Sequence, residues 1–430
     1  MTYFFVLGRN PLLSLAELYA TLSKGWQPLV FGGQILMAEC REFDADTLIK
    51  RLGGTIKIGK VLENSKQKIE NRILDTFTAK TDNKKLFFGL SAYALNEKAR
   101  LPNVRQLRQL GIEIKRALQA QGHKVRLVTS KEIALSSVIV KQEKLLKQGK
   151  ELVALYGKNE IYLGQTLAVQ EFGEASARDF GRPVRSMGVG MLPVQLAKIM
   201  LNLSRAPLNA TLLDPFCGLG TVLTEAAQMG YINLIGTDLE QTMIDATREN
   251  LKWLATRNES FSNFRQRRTG ALASLGMELE NNNIRLLSTP VEQLSKHLPP
   301  RSVDAIVTEP YLGPTRGMKN LPAQVGEELR IKNDLIELYT KAFEQFAKIL
   351  KPGGRVVFIF PAFVSKRRPP SLRDEIAKTS DQVLPKIKKL GFQPIQLLSS
   401  PYTLNPIPSI IYSRPDQRVL REIFVLEFKK

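Results

Sequence analysis

Apolar residues recur along this chain in two regimes. Up to about residue 170, short runs of strand type (YFFVLG, QILMAEC, KLFFGLSAY, KVRLVTS, ELVALYG, IYLGQTLAV) alternate with stretches of helical period such as SLAELYATLSK and NVRQLRQLGIEIKRALQAQG. This predicts α+β material. In the second of those helices Val104, Leu107, Ile112, Ile114 and Leu118 supply a core-facing side, while Arg105, Arg108, Lys115 and Arg116 make the rest basic. Residues 171–190, EFGEASARDFGRPVRSMGVG, are rich in glycine and charge and read as a linker. Beyond them strand and helix patterns alternate: ATLLDPF, GTVLTEAAQMG, NLIGTDL, EQTMIDATRENLKWLA, IRLLSTP, VDAIVTEPYLG, NDLIELYTKAFEQFAKIL and RVVFIFP. Such βαβα alternation predicts an α/β domain on a parallel sheet. Two final strand runs, FQPIQLLS and REIFVLEF, leave little room for a helix between them and predict an antiparallel pair.

The 430 residues, 43% of them hydrophobic, suffice for two or three packed cores. No run approaches the ~20 apolar residues that span a bilayer, and MTYFFVLGRNPLLSLAELYATL lacks the basic leader and cleavage site of a signal peptide. A cytoplasmic protein without membrane contact is expected. Two cysteines (Cys40, Cys217) and two histidines (His123, His297) argue against a disulfide framework and against a metal site. Charge narrows the choice of partner. Lys and Arg number 62 against 41 Asp and Glu, a net +21, and residues 51–150 alone hold 22 basic and 8 acidic side chains, a surplus of 14. A clustered basic field of that kind attracts a nucleic acid.

The stretch LLDPFCGLGTVLTEAAQMG carries the chemistry. A strand ends at Asp214, turns through Gly218 and Gly220 and enters a helix, but the third glycine of a dinucleotide fingerprint is missing. A carboxylate at the strand end repels a pyrophosphate, whereas it accepts hydrogen bonds from an ammonium group. Gly218 and Gly220 let the backbone approach a ligand closely, and Asp238, at the end of the next strand, is placed to accept from ribose hydroxyls. A nucleoside with an amino acid tail satisfies all of these: S-adenosylmethionine. Cys217 reads as a small filler.

DPFCGLGT resembles the D-P-F-x-G-x-G-T signature of methyltransferases acting on exocyclic amino groups, and GTDLEQTMIDATRENL the segment after it. RPVRSMGVGMLPVQLAKIMLNLS is similar to the helix that precedes this signature in the THUMP-domain-containing tRNA guanosine N2-methyltransferases of the guanosine-10 type; YFFVLGRNPLLSLAEL resembles that family's opening strand and helix. The resemblance implies a class I, Rossmann-like α/β methyltransferase domain with a mostly parallel seven-stranded sheet and one antiparallel strand. It implies an α+β ferredoxin-like domain over 1–75, a THUMP-like RNA-binding domain over 76–170, the linker 171–190 and the methyltransferase domain over 191–430. The expected reaction moves a methyl group from S-adenosylmethionine to the N2 amino group of a tRNA guanosine, with tRNA as partner and a small activator protein as a further candidate.

Site residues follow from the same motifs. Asp214, Phe216, Gly218, Gly220, Thr221, Asp238 and Leu239 are the expected cofactor contacts, with a hydroxyl of Thr289 standing where the family places an aspartate. TEPYLG, residues 308–313, matches the family's D-P-P-Y-G turn and makes Glu309, Pro310 and Tyr311 the catalytic candidates, although glutamate replaces aspartate and Tyr311 the second proline. Arg182 and Arg185 in the linker, and Lys366, Arg367 and Arg368 after the fifth strand, are candidate phosphate contacts. A DNA or rRNA amino-methyltransferase and a catalytically inactive RNA-binding relative remain alternatives.

Overall fold

The computed structural model describes residues 1–22, 25–64, 69–78, 85–185, 191–257, 283–313, 325–364, 376–399, 403, 405–414, 417 and 419–430. The chain divides into two compact units, Met1–Ala175 and Ser176–Lys430.

The first unit is built on one sheet of eight strands: β1 (Thr2–Leu7), β2 (Gln27–Gly32), β3 (Ile35–Glu39), β4 (Thr55–Asn64), β5 (Leu86–Ala94), β6 (Val125–Val128), β7 (Gly149–Tyr156) and β8 (Ile161–Val169). Their order is β2-β3-β1-β4-β8-β7-β5-β6, so one sheet continues through the two stretches 1–75 and 76–170. Pairing is antiparallel except where β5 lies parallel to both β6 and β7. Helix Val104–Ala120 starts at a capping box, in which the Asn103 side chain accepts from the Gln106 N–H and Gln106 returns the bond. It buries Leu107, Gly111, Ile114 and Leu118. Ile112, expected on that core side, is only half-buried, and Val104 is exposed, because the buried stripe follows the 107-111-114-118 spacing. The centre of the sheet holds a buried ion pair, Lys57 with Glu151, whose carboxylate also accepts from the hydroxyls of Ser91 and Thr166. Without those partners a carboxylate there would be prohibitively desolvated.

The second unit is a doubly wound α/β domain. Its strands are β9 (Thr211–Asp214), β10 (Asn233–Asp238), β11 (Ile284–Ser288), β12 (Val303–Thr308), β13 (Leu350–Val364), β14 (Ile376–Lys378), β15 (Phe392–Pro394), β16 (Ser409–Tyr412) and β17 (Val419–Phe428). The main path runs β11-β10-β9-β12-β13-β17-β15, with β14 on β13 and β16 on β17. The first five strands are mutually parallel, and β17 runs antiparallel to β13, β15 and β16. The expected seven strands with one reversed strand are therefore present. Two short additions, β14 and β16, raise the count to nine. Residues 172–180 of the expected linker form a helix, Phe172–Phe180. The sheet packs through an aromatic core in which Tyr339, Phe343 and Phe346 of helix Val325–Ile349 meet Phe358, Phe360 and Phe392. Register brings Asp214, Asp238, Ser288 and Thr308 to one sheet edge, since Gly236 is opposite Asp214 and Asp238 opposite Ser288. This carboxyl edge is where a doubly wound fold receives its ligand.

Candidate active site

The turn after β9 is clamped from below. Gly218 and Gly220 take left-handed φ values of 50° and 78°, which glycine adopts without the clash a Cβ brings. Gly220 N–H donates to the Cys217 carbonyl, the Thr247 hydroxyl donates to the Gly218 carbonyl at 2.7 Å, and Asn250 Nδ2 donates to the Leu219 carbonyl. Helix Thr221–Gln228 begins here with no side-chain cap, so its first amides contribute a partial positive charge. In front of Gly218 the space is open, because a Cβ there would meet nothing within 4 Å. Cys217 is buried against Thr247 and Gly236, as a filler.

Three carboxyl groups line this edge. Asp214 is buried, and its Oδ1 accepts from the Thr308 hydroxyl at 2.6 Å and from the Phe216 N–H at 3.3 Å. Burial pushes its pKa up to about 7, with the negative charges of Asp238 and Glu309 adding to the shift against those two hydrogen bonds. Asp238 accepts from Gly218 N–H at 2.9 Å and from Glu240 N–H at 3.1 Å; burial raises its pKa as well. Beside it Leu239 is 70% exposed, an apolar face at the rim of an otherwise polar site. Thr289 is buried, its amide donates to the Asp238 carbonyl and its hydroxyl to the Pro290 carbonyl. The third carboxyl, Glu309, follows β12. Thr308, its neighbour, is the residue bonded to Asp214, so one hydroxyl ties the two motifs together.

Glu309 has a partner that its motif does not reveal. Arg421 on β17 donates from Nε to Oε1 at 2.5 Å and from Nη2 to Oε2 at 3.4 Å. Only 12% of the Glu309 side chain and 7% of the Arg421 side chain are exposed. Burial raises the Glu309 carboxyl above its ordinary range, and Arg421, with Arg414 further off, limits the rise. Pro310 is buried, and the turn is fixed by Tyr339, whose hydroxyl donates to the Tyr311 carbonyl at 2.6 Å. The Tyr311 ring stays 56% exposed.

Of the candidate phosphate contacts, Arg182 lies elsewhere than expected. It is 4% exposed, and Nη1 donates to the Thr221 hydroxyl at 2.8 Å while Nη2 meets Met191 Sδ. A guanidinium so enclosed supports the start of helix Thr221–Gln228 and presents no charge to a polyanion. Arg178 is drawn in too, bonded through Nε and Nη2 to the fully buried Glu225. Arg185 is exposed. Lys366, Arg367 and Arg368 lie outside the described residues. In the first unit Arg108, Lys115 and Arg116 line a groove of about 390 Å³ with Leu127 and Thr129, between helix Val104–Ala120 and the edge strand β6.

The donor set suits a ligand with a cationic group near Asp214, hydroxyls near Asp238 and a flat apolar ring near Leu239. Among the described residues no helix is long and apolar enough to cross a membrane.

Residues 182–375 match the family model described as RMKL-like, methyltransferase domain. The chain is 25% identical over 216 residues to a tRNA (guanine(10)-N2)-dimethyltransferase of Pyrococcus abyssi, covering 49% of this chain and 51% of that protein. It is 32% identical over 171 residues to the corresponding enzyme of Methanocaldococcus jannaschii, covering 40% and 38%. The chain thus spans about half or less of the length of these relatives. It is similar to the crystal structure of TrmN from Thermus thermophilus, with a TM-score of 0.49 and 15% identity over the whole of both chains. The matched residues 182–375, similar to the RMKL-like methyltransferase-domain model, hold Asp214, Asp238 and Glu309.

Proposed function

We propose that the chain transfers a methyl group from S-adenosylmethionine to the N2 amino group of a guanosine in tRNA, at position 10 as in the relatives' names. The observation that carries this reading is the Thr308 to Asp214 hydrogen bond, which couples a cation-accepting strand end to the turn bearing Glu309. Asp214 would receive the ammonium of the amino acid tail, Asp238 the ribose hydroxyls, Leu239 and Phe216 the adenine, and Gly218, Gly220 and Thr221 the backbone of the turn. Thr289, enclosed and bonded to its neighbours, serves by shaping the strand end.

When bound, the cofactor supplies an electrophilic methyl: the guanine nitrogen's lone pair forms the new N–C bond, the S–C pair stays with sulfur, and one N–H proton leaves the nitrogen. Glu309 and the Pro310 carbonyl accept the amine's N–H groups and aim its lone pair, which lowers the barrier by fixing the encounter. As positive charge grows on the nitrogen, the Glu309 carboxylate stabilises it and takes up the released proton. The exposed Tyr311 ring offers a stacking face for the base.

The first unit supplies affinity. Its stretches 1–75 and 76–170 fit ferredoxin-like and THUMP-like roles, and the groove lined by Arg108, Lys115 and Arg116 fits a phosphate backbone. Single-turnover transfer of labelled methyl to unmodified tRNA, with duplex DNA and rRNA as alternative substrates, tests the reading. Glu309→Ala should cut the tRNA rate by about a hundredfold or more while tRNA and cofactor binding hold. A Glu309→Ala protein at parental rate excludes the catalytic role.

A further inference from the structure

Glu309 accepts a two-pronged contact from an arginine that lies 112 residues away in sequence. Because β17 runs antiparallel to β13, its first residues reach the carboxyl edge where the parallel strands end; Arg421 is opposite Pro361 of β13 and Tyr412 of β16. Backbone ladders on both sides fix its Cα. Arg421 is not needed by its acidic neighbour, since Glu422 is already held by Lys378, Ser380 and Ser409.

Among the described residues, the groups facing Glu309 come from several elements. Asp214 on β9 contributes a carboxyl, Tyr339 of helix Val325–Ile349 and Tyr311 of the turn contribute phenols, and Arg414, beyond β16, is exposed and bonded to Tyr412 and Gln417. Among the described residues Arg421 is the cation in direct contact. A carboxylate has two lone-pair directions on each oxygen. Arg421 uses one on each, leaving a lone pair free to accept one N–H of an exocyclic amine while the Pro310 carbonyl takes the other.

We infer that Arg421 is a positioning residue for methyl transfer, holding Glu309 as an oriented, ionised carboxylate whose free lone pair meets one N–H of the amine. The inference rests on the proposed function above. It also accounts for glutamate at a place where the resembling motif has aspartate: the longer side chain is drawn back and aimed by its arginine.

The experiment uses full-length protein carrying [5-13C]glutamate. The Glu309 signal, identified by its loss in Glu309→Gln, is titrated by NMR, and single-turnover methylation of tRNA is followed from about pH 6 to 9. In Arg421→Met the Glu309 midpoint should rise, and below that midpoint the rate should fall by about tenfold for each pH unit, recovering as pH rises. Arg421→Lys keeps the charge without the fork, so it should leave the midpoint near the parental value and slow turnover severalfold at every pH. In a Glu309→Gln background Arg421→Met should cost nothing further. An unmoved midpoint in Arg421→Met, an equal loss at all pH, or losses that multiply with Glu309→Gln overturns the inference. If Arg421→Met does not fold, parental turnover in Arg421→Lys does so instead. The titration needs no substrate, so a parent protein that transfers no methyl to tRNA refutes the proposed function while leaving the Arg421 result readable.

Discussion

The two glycines of the turn after β9 do different work, and alanine substitution separates them. A Cβ on Gly220 would lie 2.8 Å from Thr247 Cγ2 and 2.9 Å from Thr247 Oγ1, so Thr247 must move. Moving it forfeits the 2.7 Å bond from its hydroxyl to the Gly218 carbonyl, about 1 kcal/mol. The left-handed φ of 78° adds ~1–2 kcal/mol for any residue with a Cβ. Gly220→Ala should therefore cost roughly 2–3 kcal/mol, a drop of the order of 5–10 °C in melting temperature for a unit of this size. Gly218→Ala has the φ strain alone, about 1 kcal/mol, because its Cβ would point into open space. If that space receives the cofactor, Gly218→Ala should melt near the parent yet bind S-adenosylmethionine at least about tenfold more weakly. Adding Thr247→Ala to Gly220→Ala should recover ~1 kcal/mol through relief of the contact. Calorimetry supplies both readouts. Parental affinity in Gly218→Ala, or a parental melting point in Gly220→Ala, would refute this division of labour.

The parts of this molecule that could be seen in its sequence are those that local spacing encodes. Buried strand runs ending in Asp214 and Asp238, each followed by a helical period, can close only as parallel strands with their acids at one edge, and they do. The final antiparallel pair is readable for a similar reason: FQPIQLLS and REIFVLEF have no helix between them, which forbids a parallel crossover. The short β14 and β16 are not readable, because three or four residues carry too little period to stand out from a loop. Arg182 shows how composition misleads. In a stretch crowded with glycine and charge it looks like surface, yet it is packed at the start of helix Thr221–Gln228. Arg421 is the residue that local reasoning misses altogether, since its bond to Glu309 depends on which strands end at the same edge. One trace is present: REIFVLEF is an apolar strand headed by a charged pair, and an arginine at the buried head of a reversed strand needs a carboxylate at that edge.

Three further expectations concern the cofactor, the RNA and pH. Asp238→Ala should weaken S-adenosylmethionine binding by about 2 kcal/mol in calorimetry, the value of lost charge-assisted hydrogen bonds; unchanged binding would move the ribose elsewhere. A protein reduced to residues 176–430 should bind S-adenosylmethionine like the parent while its tRNA affinity collapses, and the steep salt dependence of the full chain should go with it. The last concerns Asp214, whose pKa burial lifts to about 7 from an ordinary value near ~3.9. The folded protein then holds this proton more tightly than the unfolded chain, so the stability it contributes is fully present below about pH 4 and is lost as pH rises through about 7. Asp214→Asn isolates the effect, because both hydrogen bonds reach Oδ1 and an amide oxygen still accepts them. The difference in stability between parent and Asp214→Asn should consequently slope across that window, with the variant relatively more stable at high pH in the absence of ligand. Cofactor should reverse the order, since an ammonium beside the ionised carboxylate offsets its burial; binding to the parent below pH 7 should release a proton, detectable as a binding enthalpy that tracks the buffer's ionisation enthalpy. Parallel stability curves for the two proteins, or proton release that persists unchanged in Asp214→Asn, would place the cation-accepting group on a different residue and leave Asp214 as a structural end to β9.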